Sequence, residues 1–251
     1  MKPFGATRSR IAREYALICP DSFVNSSLPG WGKATITMLI APVIGARFTQ
    51  FLATFEAGGH AGPAASGVER VIFVIEGELT VTPSGQPARH LKAGGFAFLP
   101  ANSDAAIRAD SAARVNVFEK QYVALADTKP PTVIIGDSRN VRGEPFMGDA
   151  DARLQVLLPD DPAFDMAVNV FTYQPGARLP QVEIHAMEHG LIMLSGEGVY
   201  RLGDDWHPVQ AGDVIWMASY CPQWFVAMGK QPASYLYYKD VNRDPLGLVR
   251  S

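Results

Sequence analysis

The chain has 251 residues and a formal net charge of −3 at pH 7, with mean hydropathy near zero. That length can bury one large core or two modest ones, and the charge gives no electrostatic reason to expect nucleic acid or an anionic membrane as a partner. Cys19 and Cys221 form no CxxC pair or disulfide framework, no apolar run is long enough for a transmembrane helix, and the basic N-terminus lacks the apolar segment of a signal peptide. We therefore expect a cytoplasmic protein.

Short strands dominate the predicted structure. The 23 glycines and 19 prolines separate short runs rich in Val, Ile, Phe and Tyr, a pattern typical of an all-β sandwich or barrel. Residues 7–17 are the one stretch that could form a short helix, within an N-terminal extension.

An internal repeat organises the rest of the chain. Three glycine anchors recur at offsets of 118, 119 and 118 positions: Gly58 and Gly176, Gly77 and Gly196, Gly94 and Gly212. The repeat predicts two tandem copies of one β domain of roughly 110 to 120 residues each. The connection over residues 129–145 is rich in Pro, Gly and charge. We therefore expect an N-terminal barrel over residues 1–130 and a C-terminal barrel over residues 131–251, with the boundary uncertain by about ten residues.

The second copy contains the strongest chemical signal. Glu183, His185 and His189 are three potential metal ligands within seven residues, in a chain with five histidines. In an extended segment Glu183 and His185 share one face because side chains alternate. These residues predict a divalent-metal site inside the second barrel.

The same residues also fit a different motif. The segment from His185 to His189 matches the H-x-x-E-H pattern of a class of zinc peptidases, with Glu188 as base. That alternative requires a helix, and Pro180 and Gly190 leave room for barely two turns. The extended alternative is favoured, and it makes Glu188 a loop carboxylate rather than a base.

The last predicted strand contributes a possible anion-binding group. Tyr235, Tyr237 and Lys239 share one of its faces. A lysine inside a barrel is unfavourable unless it meets an anion. If this face is the inner one, Lys239 can bind a substrate carboxylate near the metal; in the alternative, Lys239 points to solvent.

The strand order and glycine spacing resemble the cupin superfamily of small jelly-roll barrels. The resemblance implies an all-β bicupin fold. Glu183 takes the place of the first histidine of the family's H-x-H pair, His189 takes the place of the usual Glu, and Gln223 stands where the family has its last histidine. The implied metal ligands are Glu183, His185, His189 and Gln223. Such a nitrogen and oxygen set suits Mn²⁺, with Zn, Fe, Co or Ni as other possible metals.

The first copy has no H-x-H pair, and its second motif contains neither His nor Gln. We expect the N-terminal barrel to be metal-free and structural.

From Phe164 through Asp244 the second copy is similar to the bicupin ureidoglycine aminohydrolases of purine (allantoin) catabolism, and the first copy matches more loosely. This resemblance implies a manganese-dependent hydrolase that cleaves a C–N bond of a linear ureide, releasing ammonia from (S)-ureidoglycine to give (S)-ureidoglycolate. It implies substrate contacts at Tyr200, Tyr235 and Lys239. We further expect Gln223 to contact the substrate, and Glu183 and Lys239 to be catalytic. We expect a homo-oligomer with a small-molecule ureide as substrate.

Two other functions remain open. A metal cupin could act on another small carboxylate, as an isomerase or dioxygenase, although such enzymes usually keep the H-x-H pair. A non-enzymatic bicupin could bind a small ligand.

Overall fold

The computed structural model describes residues 6–243, so Asp244 and the outer ends of the two expected domains lie outside the described residues. Nearly all regular structure is β, with 3-10 helices at Pro20–Ser22, Pro42–Ile44 and Ser138–Asn140. The strands in chain order are β1 (Arg10–Ile11), β2 (Tyr15–Ile18), β3 (Asn25–Ser26), β4 (Trp31–Ile40), β5 (Thr49–Ala61), β6 (Val68–Glu76), β7 (Glu78–Thr82), β8 (Arg89–Lys92), β9 (Gly95–Leu99), β10 (Ala106–Ala109), β11 (Ala113–Gln121), β12 (Ile134–Asp137), β13 (Glu144–Phe146), β14 (Asp149–Val156), β15 (Met166–Tyr173), β16 (His189–Ser195), β17 (Glu197–Leu202), β18 (Asp205–Gln210), β19 (Val214–Met217), β20 (Gln223–Ala227) and β21 (Ala233–Asp240). The described residues contain no helix long and apolar enough to cross a membrane.

The helix expected over residues 7–17 is wrong. This stretch forms β1 and β2, and β2 pairs antiparallel with β19. Tyr15, Leu17 and Cys19 all lie in one hydrophobic core. Their spacing of two is the strand period, so pairing with a distant strand decides the local structure here.

The chain divides into two compact units that are not contiguous in sequence. One contains residues 24–142 and 157–165, and the other contains residues 6–23, 143–156 and 166–243. A single boundary at residue 130 therefore differs from this division. The strand β12 pairs with β9 of the first unit, and the N-terminal strand β2 belongs to the sheet of the second.

The first unit is built on a ten-stranded sheet. Its strand order is β12-β9-β6-β11-β5-β10-β7-β8, with β4 added on β5 and β3 on β4. The inward residues of these strands form a core that includes Trp31, Phe51 and Phe55.

The second unit has an eight-stranded sheet, β1-β2-β19-β16-β21-β15-β14-β13, and a three-stranded sheet, β18-β17-β20. Its core contains side chains from both sheets, among them Phe171 and Tyr173 of β15, Tyr235 of β21 and Phe225 of β20.

The internal repeat is confirmed by matching backbone conformations. All six anchor glycines have positive φ, from +72° at Gly196 to +90° at Gly212. Gly77 forms the turn between β6 and β7, and Gly196 forms the turn between β16 and β17. A Cβ at Gly77 would lie 2.3 Å from the Ala112 carbonyl oxygen, and one at Gly196 would lie 2.6 Å from the Pro232 carbonyl oxygen. Only glycine fits either turn without strain.

Candidate active site

The predicted ligand segment is extended. Glu183 forms an isolated antiparallel bridge with Gln223, through backbone N–H···O bonds of 2.8 and 3.0 Å. Glu183 and His185 are partly buried, whereas Ile184 between them is 61% exposed. The predicted alternation is confirmed, and the helix required by the zinc-peptidase alternative is not present. His189 is the first residue of β16 rather than part of a loop.

Three of the four predicted ligands meet at their side-chain nitrogens. His189 Nε2 lies 3.1 Å from His185 Nε2, and Gln223 Nε2 lies 3.0 Å from the same atom. His185 Nδ1 is 3.1 Å from the Met187 carbonyl oxygen, to which it can only donate. That bond keeps the proton on Nδ1 and leaves the lone pair of Nε2 available to a metal.

These separations are hydrogen-bond distances, and they bring the three side chains close enough to share one ion. With ligand atoms about 2.1 Å from the metal, neighbouring positions are about 3.0 Å apart in an octahedron and about 3.4 Å apart in a tetrahedron. To bind a metal, the amide of Gln223 would turn its oxygen toward His185, and the Tyr200 hydroxyl, which otherwise donates to that oxygen, would then accept from the amide nitrogen. Two imidazole nitrogens and one amide oxygen, with no sulfur, form a donor set that a borderline divalent ion can use.

The Glu183 carboxylate is not part of this group of hydrogen-bonded side chains. It lines the same cavity as the two imidazoles. Within residues 6–243, however, no three His, Cys, Asp or Glu side chains are arranged as a metal-binding group. The structure thus brings His185, His189 and Gln223 together and leaves Glu183 on the adjacent wall.

Burial sets the charge of this region. It lowers the pKa of His189 well below its ordinary value, and the neighbouring His185 and Lys239 lower it further. Burial raises the pKa of Glu183, an effect that His185 and Lys239 oppose. A neutral imidazole is the form that binds metals, so His189 is in its ligand form at neutral pH.

A cavity of about 190 Å³ contains all the predicted site residues. Its polar lining consists of Glu183, His185, His189, Gln223, Lys239, Tyr200, Tyr235 and Tyr237. Its apolar lining consists of Phe146, Leu154, Phe171, Leu179, Met187, Leu191 and Met217. The cavity therefore combines one cationic group, one carboxylate and several neutral hydrogen-bonding groups within an apolar wall, as small-molecule sites do.

The orientation of Lys239 is decided by the sheet. Tyr235, Tyr237 and Lys239 form one row on the inner face of β21 and all three line the cavity. Lys239 is the antiparallel partner of His189 on β16, so the cation and one imidazole are direct cross-strand neighbours. Lys239 is half-buried and borders the cavity, which favours the inner-face alternative over a lysine that points to solvent.

A chain of phenol hydroxyls leads to Gln223. The hydroxyls of Tyr173 and Tyr235 are 3.0 Å apart, the ring centroids of Tyr235 and Tyr200 are 6.4 Å apart, and the Tyr200 hydroxyl donates to Gln223 Oε1 at 3.4 Å. Burial raises the pKa of these phenols, so they remain neutral donors. The sequence analysis did not identify Tyr173, which lies on the same face of β15 as Phe171.

Glu188 lies outside the cavity lining, as expected for a residue that is not the base. Its side chain is 2% exposed, and Trp216 Nε1 donates to its Oε2 at 3.3 Å. Its backbone N–H donates to Asp240 Oδ1 at 2.6 Å. These bonds anchor the chain directly before His189, so Glu188 has a structural role.

Two cupin domain models match parts of the chain, and several known proteins are similar to nearly all of it. A cupin domain model matches residues 169–238, and an EutQ-like cupin domain model matches residues 45–122. A probable (S)-ureidoglycine aminohydrolase of Oryza sativa subsp. japonica is 39% identical over 246 residues, or 96% of this chain and 78% of that protein. The (S)-ureidoglycine aminohydrolase of Arabidopsis thaliana is also 39% identical, over 96% of this chain and 80% of the relative. The solved structure of a putative glyoxylate-induced protein from Pseudomonas aeruginosa is 31% identical with a TM-score of 0.87, covering 95% of this chain and 92% of that one.

Proposed function

Because this chain belongs to the (S)-ureidoglycine aminohydrolase family of two-domain cupins, we propose that it hydrolyses (S)-ureidoglycine to (S)-ureidoglycolate and ammonia, with Mn²⁺, in allantoin (purine) catabolism. The observation that supports it best is a single cavity that contains facing imidazoles, the Gln223 amide and the Lys239 ammonium group. A small substrate with one carboxylate and several hydrogen-bonding groups matches that lining.

Lys239 is proposed to bind the substrate carboxylate. It supplies the ammonium group of the cavity wall, and a charge-assisted hydrogen bond is stronger than a neutral one. Tyr200 and Tyr235 line the same cavity as neutral donors, which suits them to orient the polar ureido group. Together these contacts fix which face of the reacting carbon meets water.

We propose His185, His189, Gln223 and Glu183 as the metal ligands. A bound divalent ion supplies Lewis-acid stabilisation of the charge that develops as the C–N bond breaks. The absence of sulfur among these four residues favours Mn²⁺ over softer-ligand metals. The barrel of the first copy is proposed to have a structural role.

The reaction requires one proton to move. The oxygen of water bonds to the carbon that carries the amino group, and water gives up one proton. That proton goes to the amino nitrogen, the C–N bond breaks, and ammonia leaves. Glu183 is the proposed ligand that can both accept and return a proton, because it is a carboxylate at the cavity wall.

Ammonia release from freshly generated ureidoglycine tests the proposal, together with elemental analysis of the purified protein. We expect Mn-dependent release and (S)-ureidoglycolate as product. Stoichiometric metal with no ammonia would instead favour a cupin acting on another carboxylate. Neither metal nor ammonia would favour a ligand-binding bicupin.

A suitable control is His60→Ala. His60 is an exposed histidine of β5, in the unit that does not contain the cavity. This variant should keep both metal and activity, whereas His185→Ala should lose both.

We also propose a cytoplasmic location, supported by the cysteine pattern, and a homo-oligomer. Light scattering of the purified chain tests the second point, and a monomeric mass at working concentration would contradict it.

A further inference from the structure

We propose that Tyr237 is a further substrate-binding residue, which donates its hydroxyl proton to the substrate carboxylate while the Asn169 amide donates to the same hydroxyl oxygen. The inference rests on the proposed function, because it assigns a second donor to the carboxylate that Lys239 binds.

The position of Tyr237 supports this role. It lies between Tyr235 and Lys239 on the inner face of β21 and lines the cavity, and its ring centroid is 5.6 Å from that of His189. Residues two apart on a strand are separated by about 6.7 Å. Two hydrogen bonds of about 2.8 Å through the two oxygens of one carboxylate can span that distance. Lys239 and Tyr237 can therefore bind the same carboxylate.

The partner of Tyr237 decides which way its proton points. Asn169 on β15 is its direct cross-strand neighbour, which places the Asn169 amide beside the phenol as a donor to its hydroxyl oxygen. A phenol has one proton to donate and can accept further bonds. With the Asn169 amide as donor, the proton of Tyr237 remains available to a group in the cavity.

Asn169 is not accounted for by fold stability. It is 3% exposed on the inner face of a strand whose neighbouring inward residues are Phe171 and Tyr173. Its Oδ1 is buried and accepts no hydrogen bond from residues 6–243. An apolar side chain of similar size would avoid this unsatisfied group. A residue that breaks the packing rule beside a functional cavity is expected where its polar group serves that function.

Burial supports the donor role as well. It raises the pKa of Tyr237 far above its ordinary value, and the negative charge of Glu183 raises it further. The phenol is therefore protonated at neutral pH.

The test compares Tyr237→Phe, Asn169→Asp and the double variant, with Tyr122→Phe as the matched control. Tyr122 donates its hydroxyl to the Ala163 carbonyl oxygen in the unit without the cavity. The measurements are KM and kcat for ureidoglycine, bound Mn, and the dissociation constant of (S)-ureidoglycolate as a stable probe.

Tyr237→Phe should raise KM and the probe's dissociation constant about 10- to 100-fold, with bound Mn unchanged, because it removes one bond to a charged group. Asn169→Asp should weaken probe binding in the same direction, since an aspartate accepts the Tyr237 proton and turns it away from the cavity. The double variant should be no weaker than Tyr237→Phe alone, because both changes remove one interaction. If Asn169→Asp does not fold, Asn169→Leu replaces it, and it should weaken binding only where Tyr237 is present.

Probe binding by Tyr237→Phe that equals that of Tyr122→Phe would overturn the inference, as would full additivity in the double variant. Failure of the proposed function is distinguishable from this result, because in that case the unsubstituted protein releases no ammonia.

Discussion

Lys239→Met is the substitution that most directly tests how the substrate is held. It keeps the length and apolar stem of the side chain and removes the ammonium group from the cavity wall. The lost bond joins two charged groups in a partly buried site, so it should contribute about 1.5–3 kcal/mol to binding. That range corresponds to an increase in KM of roughly 10- to 150-fold.

The assay is steady-state ammonia release over a range of ureidoglycine concentrations, with the binding of (S)-ureidoglycolate measured by calorimetry. Lys230→Met is the matched control, because Lys230 is an exposed lysine in the loop between β20 and β21 of the same unit. Equal KM values for Lys239→Met and Lys230→Met would refute the carboxylate-binding role of Lys239.

Three further predictions address the metal ligand, the repeat and the other unit. Glu183→Gln should lower kcat at least 100-fold while His185 and His189 retain metal, and full activity in a metal-loaded variant would exclude proton transfer by Glu183. In denaturant titration, Gly196→Ala should lower the free energy of unfolding by about 1–3 kcal/mol more than Gly176→Ala does. Both glycines have positive φ, but only at Gly196 would a Cβ meet backbone, 2.6 Å from Ala233 Cα. Equal losses in the two variants would contradict the steric argument. Lys120→Met should destabilise the protein by about 3–5 kcal/mol, because it leaves the fully buried Asp165 without its ion-pair partner, and Lys120→Met combined with Asp165→Asn should recover much of the loss; a single variant as stable as the parent would contradict this.

The parts of the site that sequence could predict depend on short-range geometry. Glu183 and His185 point the same way because alternation follows from any extended backbone, even without a regular strand. The glycine anchors were predictive because each turn has a backbone conformation that other residues rarely adopt. Period and spacing thus identified the cavity wall and both imidazoles.

The parts that could not be predicted depend on which distant strands pair. Residues 7–17 contain good helix formers, but Tyr15 and Leu17 are buried only when β2 joins β19, more than 190 positions away. The same holds for Asn169, whose role depends on its pairing with Tyr237 across β15 and β21. The predicted boundary at residue 130 placed β12 in the second domain. The structure instead pairs β12 antiparallel with β9 of the first unit.

The proposed function requires that the cavity bind one Mn²⁺ and that this ion support ammonia release from (S)-ureidoglycine. Titration of chelator-treated protein with Mn²⁺, with ammonia release measured at each step, tests it most directly. Activity should rise in proportion to bound metal and stop rising at one ion per chain. Full activity in the metal-free protein, or one bound Mn²⁺ with no release of ammonia, would contradict the account.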